Sequence, residues 1–344
     1  MKFTTQTNYP KRKIKQEYNV LEYILFLFSL NISVVSLIRV KYLRNIYSCN
    51  SVIDLVIRGN GTQNILSPYF NSYPSEVLVN GIKNYSCNKT CYLEKELNNI
   101  TLRFKNEMGY CANMFRELNN IIEINLTNFN NKITNMFAMF HLCRNLEKIT
   151  FGNINTSSVT NMQSLFNGCY RLKSIDLRNF DTSNVKNMNY LFQSCSILTS
   201  INISNFDTSK VITMYHMFAH CSKLENIFFG NINTSSVKNM QALFLGCSSL
   251  SSLNLSYFDT SKVTTFEWMF NGCSKLTYLN LSHFKTSHIS NIYGMFQNCG
   301  SLLYINLYSF KLNTTVNKTR TFNGISPLTK FCINDIDTEN FLLG

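Results

Sequence analysis

The chain has 344 residues, 45% of them hydrophobic, with four prolines and 13 glycines; a sizeable core is available, and a collagen-like or low-complexity chain is excluded. The formal net charge is +13, yet the first 50 residues account for +6 of it, from eight basic and two acidic side chains. The remaining +7 is scattered without a basic stripe, which excludes the phosphate-tracking face of a nucleic-acid binder.

Residues 1–22 are a basic tail carrying Lys11, Arg12, Lys13 and Lys15. An apolar run of 16 residues follows from Tyr23 to Ile38, then Arg39, Lys41 and Arg44. That length exceeds an ordinary signal-peptide core and falls short of the roughly 20 residues of a membrane span. Residues 23–38 therefore read as a signal anchor or uncleaved signal through which the chain meets a membrane. A cleaved signal and a buried helix stay open as alternatives, and basic residues on both flanks leave the orientation open. Residues 39–96 fit no repeat frame and read as an N-terminal cap or stalk.

From about residue 97 to 325 the sequence repeats itself. Phenylalanines stand 26 apart at Phe140, Phe166, Phe192, Phe218, Phe244, Phe270, Phe296 and Phe322, with Phe115 one residue nearer at the start. Three residues behind come Cys143, Cys169, Cys195, Cys221, Cys247, Cys273 and Cys299. Equal spacings of this kind mark a solenoid, in which each unit buries its apolar face only against its neighbours. Within one turn, Val159, Met162, Leu165, Phe166 and Cys169 are spaced as on one helix face. Leu172, Ile175, Leu177 and Phe180 follow, with Ile175 and Leu177 on the same side of a short strand. Asp181, Thr182 and Ser183 make a polar turn placed to cap the next helix. The expected fold is an α/β leucine-rich-repeat solenoid, one short strand and one short helix per 26-residue turn, about nine turns, capped at both ends. Leu97, Ile100 and Leu102 are expected to open it, and residues 326–344 to close it. Phe151–Cys169 and Phe229–Cys247 are near copies 78 residues apart, the mark of a duplicated three-turn block.

The phrase M-F-x-x-C-x-x-L-x-x-I-x-L-x-N-F-D-T-S-x-V-x-x-M, clearest from Met188 to Met214 and in Leu255–Met269, resembles the repeat of BspA-type leucine-rich-repeat surface proteins. The resemblance runs from about Asn113 to Leu328. It implies a leucine-rich-repeat solenoid exposed at the cell surface or secreted, and a role in adhesion or recognition of partner proteins without catalysis.

In such a solenoid the concave strand face is the expected binding face. The outward position between the two strand hydrophobics reads Asn125, Thr150, Asp176, Asn202, Phe228, Asn254, Asn280 and Asn306, which suggests an asparagine ladder along the sheet. Late in the array outward positions turn aromatic at Tyr278, Tyr304 and Tyr308, with Tyr257 and His283 at strand ends. Tyrosine is enriched at binding hot spots. The candidate partner-binding set is thus Asn202, Phe228, Asn254, Asn280, Asn306, Tyr278, Tyr304 and Tyr308.

The seven repeat cysteines end the apolar face and read as core thiols. Cys49, Cys87, Cys91 and Cys111 lie outside the frame and are a candidate disulfide set with three connectivities open. His216 and His220 stand beside Cys221, yet the histidines fall off the face that the cysteine occupies, and no third ligand is apparent. No nucleophile elbow or phosphate loop appears. The expectation is a protein with no cofactor and no metal, not an enzyme. Its partner would be a protein, of the host- or neighbouring-cell-surface kind, and its place the cell surface, membrane-anchored or secreted. The alternative is an intracellular leucine-rich-repeat scaffold.

Overall fold

The computed structural model describes residues 51–105 and 108–343; the basic tail, the apolar run 23–38 and Cys49 lie outside them. From Tyr110 the chain winds as a β-solenoid whose axis is marked by a file of nine phenylalanines, Phe115 to Phe322. Consecutive rings lie 5.5–5.8 Å apart with planes within 2–14° of parallel. Nine rings enclose eight intervals, so there are about eight full turns rather than nine. Each offset-stacked pair adds about 0.5–1.5 kcal/mol to the burial of its rings.

The expected helix in each turn is absent. Among the described residues the one α-helix is α1 (Ile336–Leu343), at the C-terminus. The segment with helical spacing is instead a chain of tight turns. In the turn through Phe166, Leu165, Asn167 and Cys169 donate their amides to the carbonyls three residues back. Met162, Ser164, Phe166 and Gly168 donate to Asn187, Asn189, Leu191 and Gln193 of the next turn at 2.8–3.0 Å. Every amide from Met162 to Cys169 has a partner, because Gln163 N–H donates to the Asn161 side chain at 2.9 Å.

Such a path needs two residues per turn at positive φ, the third positions of type II turns. They are Ser164 and Gly168, Tyr190 and Ser194, His216 and His220, Ala242 and Gly246, Trp268 and Gly272, and so on through Arg320 and Gly324. A helix would leave these residues at negative φ and turn their amides inward. Satisfying half of the amides between turns wins here, since each turn must adhere to its neighbours to exist at all.

A cap closes the N-terminal end. Strand β1 (Ser51–Arg58) runs antiparallel between β6 (Leu97–Phe104) and β7 (Ile121–Asn125), the first strand of the solenoid. Strands β3 (Glu76–Val79) and β4 (Ile82–Lys83) extend the far edge, and β8 (Lys148–Thr150) adds in parallel to β7. Separately, β2 (Gly61–Asn64) pairs with β5 (Thr90–Leu93). Leu97, Ile100 and Leu102 therefore belong to the cap: Ile100 and Leu102 face Leu55 and Ile53 across an antiparallel pair. Their alternation fits either kind of sheet, so sequence alone did not distinguish them. By pairing with β7, β1 covers an edge that an uncapped solenoid would leave open.

At the other end β12 (Tyr304–Asn306) joins β11 (Tyr278–Asn280) to β13 (Lys330–Cys332), all parallel. Buried Thr156, Thr182, Thr208, Thr234, Thr260 and Thr286 each donate a hydroxyl to a carbonyl of the following turn at 2.7–3.1 Å. Thr338 stands 26 residues after Leu312, at the place of the next threonine, and its hydroxyl accepts the Leu312 amide at 2.9 Å. Asp335 caps α1 by accepting the Thr338 amide at 2.9 Å. The terminal helix thus supplies the first residues of a turn that is never completed.

The phenylalanine file makes a graded prediction. Phe218→Ala, inside the stack, is expected to destabilise the array by about 3–5 kcal/mol in denaturant titrations. Phe322→Ala, at its end and half-buried, should cost clearly less; equal losses would show that the file is not the axis of cohesion.

Candidate functional site

The strand face is less regular than the repeat. Strands form where β9 (Ser200–Asn202) pairs with β10 (Asn226–Phe228), and again across β11, β12 and β13. In the turns through Asp176 and Asn254 no strand forms. At both places the preceding turn carries phenylalanine at the inner strand position where most others have leucine or isoleucine: Phe151 and Phe229. Each ring packs edge-on against a phenylalanine of the detached turn, Phe180 at 4.8 Å and Phe258 at 5.1 Å. No bond joins the Phe229 amide to the Asn254 carbonyl among the described residues, and none joins the Leu255 amide to the Asn280 carbonyl on the other side of the detached turn. Ile175, Ile227 and Leu253, inner side chains at these openings, are only partly buried.

The expected asparagine ladder does not run along the sheet. The side-chain oxygens of Asn125, Asp176, Asn202, Asn254, Asn280 and Asn306 each accept the amide two residues on, at 2.9–3.1 Å. These are Asx turns, which bend the chain out of each strand. The row is a set of corners, and the local amide is closer to each oxygen than the neighbouring turn.

Charge divides the face. Its N-terminal half carries Glu123 with Lys148 at 3.9 Å, Glu147 with Lys173 at 2.5 Å and Asp176 with Arg178 at 2.7 Å. Hydrogen bonds from Arg178 hold the Asp176 carboxyl down at about 2. The C-terminal half is aromatic where the candidates cluster, with one exposed cation, Lys330, in register beside Tyr304. Tyr278 and Tyr304 stack on each other at 5.3 Å and 7°, one from each of two paired strands. Tyr308, four residues after Tyr304, donates its amide to the Asn306 side chain and is exposed. Asn280 and Asn306 are in register on the same strands. Asn202 and Phe228 lie in register on β9 and β10, and Asn254 stands on the detached turn, so the detached turn divides the set in two. His283 is drawn inward, its Nε2 2.8 Å from the Leu255 carbonyl.

The repeat cysteines are buried and free. Each thiol from Cys143 to Cys299 donates to the carbonyl of a stack phenylalanine one turn back, at 2.9–3.3 Å. Burial raises their pKa, to about 12 at Cys221 and Cys299. Of the four off-frame cysteines, Cys87 and Cys91 form a disulfide in the cap. Cys111 is a correction: it is a buried free thiol, raised to about 12 by desolvation. Cys111 precedes Phe115 by four residues, as Met162 precedes Phe166, so it fills the methionine place of the first turn. That spacing was readable.

The thiol of Cys221 points at the Phe192 carbonyl, not toward His216 or His220. Among the described residues no group of three metal-ligating side chains comes together, and no helix is long and apolar enough to cross a membrane. Sequence reasoning passed over the cluster that His216 forms with Tyr215 at 4.2 Å and Tyr190 at 5.5 Å. Neither ring nitrogen of His216 has a hydrogen-bond partner among the described residues. Burial, with His220 nearby, lowers its pKa to about 4.

A family model described as "Mycoplasma protein of unknown function, DUF285" matches the chain twice, over residues 110–228 and 219–334. No curated protein and no solved structure matches it.

Two predictions follow from the thiols and from His216. Alkylation of the native protein is expected to modify half-buried Cys332 well before the eight buried free thiols, which should react together on unfolding; early labelling of Cys221 would contradict the packing. His216 is neutral in the folded chain down to about pH 4, whereas the unfolded imidazole takes a proton below about 6.5. Stability should therefore fall as pH drops through that window, by about 2 kcal/mol once the roughly 3 kcal/mol of the full shift is discounted for solvent screening of the half-buried ring. His216→Asn, which tolerates positive φ, should flatten the slope in pH-dependent melts. Asp181, Asp207 and Asp259, held below the usual carboxylate range by hydrogen bonds, add their own loss only at lower pH.

Proposed function

The chain belongs to the DUF285 family, and from that premise we propose that it is a non-catalytic recognition protein of the cell surface, membrane-anchored through residues 23–38 or secreted. Its solenoid holds a partner protein on the strand face, in the manner that the likeness to BspA-type surface repeats suggests. The partner is a surface protein of a host or neighbouring cell.

The observation that carries this reading is the aromatic patch of Tyr278, Tyr304 and Tyr308, edged by Lys330. Tyr278 is 51% and Tyr308 53% exposed, on a face whose other half is charged. Large aromatic side chains left in water on paired strands lose nothing further by meeting a partner. They offer contact area at small cost in side-chain entropy. The solenoid fixes their backbone, so the patch is preorganised.

The triple variant Y278A/Y304A/Y308A is expected to weaken attachment to partner cells by about 10–100-fold with an unchanged melting transition. Protease added to intact cells should remove the repeat domain. Full attachment by the variant would overturn the patch, and complete protection would place the array inside the cell as a scaffold.

A further inference from the structure

We infer that the opening between the turns through Phe228 and Asn254 is a subsite for one neutral sugar unit of a glycan. The inference rests on the strand face being the recognition face and names a ligand class for a place outside the tyrosine patch. The opening is a concavity of about 470 Å³, within the roughly 300–1,000 Å³ of small-ligand sites. Phe228 and Tyr257 form its rim, 55% and 59% exposed, and neither ring stacks on another aromatic ring among the described residues. Its floor is apolar, from Ile227, Phe229 and Phe258.

The polar groups around it are amides. The side-chain NH₂ groups of Asn202 and Asn254 have no protein partner among the described residues, since only their oxygens are used, by Ser204 and Ser256. Asn231 lines the same concavity with its side chain exposed. Phe229 N–H lacks the ladder partner that its equivalents Ile203 and Leu281 have. No lining residue is charged. A pyranose has one face of C–H bonds and a rim of hydroxyls that both donate and accept. Aromatic faces take the former and amides the latter, whereas an ionic ligand would find no counter-charge here.

The chain holds its own control. Three turns earlier, at Phe151, the backbone opens in the same way, with Gly152 in the place of Gly230. Both glycines are forced: each has φ near +60°, and a Cβ would lie 2.8 Å from Thr127 Cα or 2.7 Å from the Ser204 carbonyl oxygen. At the first opening the rim residues are Thr150 and Asn179, and an Arg178–Asp176 ion pair stands where the second has Ser256 and Asn254. The two copies thus share a backbone and differ in what they present. Only the second presents aromatic rings with neutral amides.

The test transplants the first rim onto the second. Full-length protein and the variant F228T/Y257N are compared by saturation-transfer NMR with lactose, N,N′-diacetylchitobiose and α-mannobiose, and with anionic 3′-sialyllactose, at millimolar sugar. At least one neutral disaccharide is expected to bind the parent and to lose about tenfold or more affinity in the variant, with circular dichroism and melting unchanged. Absence of binding by all three neutral sugars, or binding that survives the swap, overturns the subsite. Variant Y278A/Y304A/Y308A separates the two readings: it should keep sugar binding while losing the partner protein. Parent protein that attaches to its partner yet binds none of the three neutral sugars would remove the subsite and keep the tyrosine patch.

Discussion

Between each Asx corner and its cysteine, alternate amides point out of their own turn and into the next one. That arrangement is the constraint from which the rest of this molecule follows. The amides that stay local close tight turns, and those turns need residues at positive φ twice in every 26-residue unit. A turn so built cannot satisfy its backbone alone. Its rings, thiols and threonine hydroxyls are brought into file by the same repeat, and each file bonds or packs across the gap between turns. Stability is then a property of neighbours rather than of units.

Files of this kind leave both ends unfinished, and the two caps solve that problem differently. At the N-terminus β1 reverses direction to cover the first solenoid strand, a solution that requires residues with no trace of the repeat. At the C-terminus the repeat itself continues just far enough to deliver Thr338 to the buried ladder before α1 ends it. The antiparallel strand covers the first solenoid strand, whereas the interrupted turn ends the buried hydroxyl ladder and leaves β13 as an edge strand.

The strand face is where the repeat relaxes. At two places three turns apart, after Phe151 and after Phe229, a turn forms no strand while the phenylalanine file runs on undisturbed behind it. Cohesion on one side of the solenoid permits looseness on the other. The two near-copies share that looseness and differ at exposed positions, Thr150 and Asn179 against Phe228 and Tyr257. A binding face can diverge in this way without touching what holds the array together.

By itself the sequence determined the solenoid, its 26-residue period, the inward phenylalanines and cysteines, and the exposed tyrosines, because burial alone imposes those spacings. It misled on the helix, since steps of three, three, one and three satisfy a chain of type II turns as well as a helix face. The recurrent glycine before cysteine at Gly168, Gly246 and Gly272 was the signal against it. It misled again on the asparagine ladder, because a side-chain oxygen two residues from an amide folds back before it can reach a neighbour. Only the tertiary structure decided which turns pair as strands, that Leu97–Phe104 lies antiparallel in a cap, and that Cys87 joins Cys91. Those outcomes depend on how side chains fit between adjacent turns and on which strand edge lies open, and no local spacing records either.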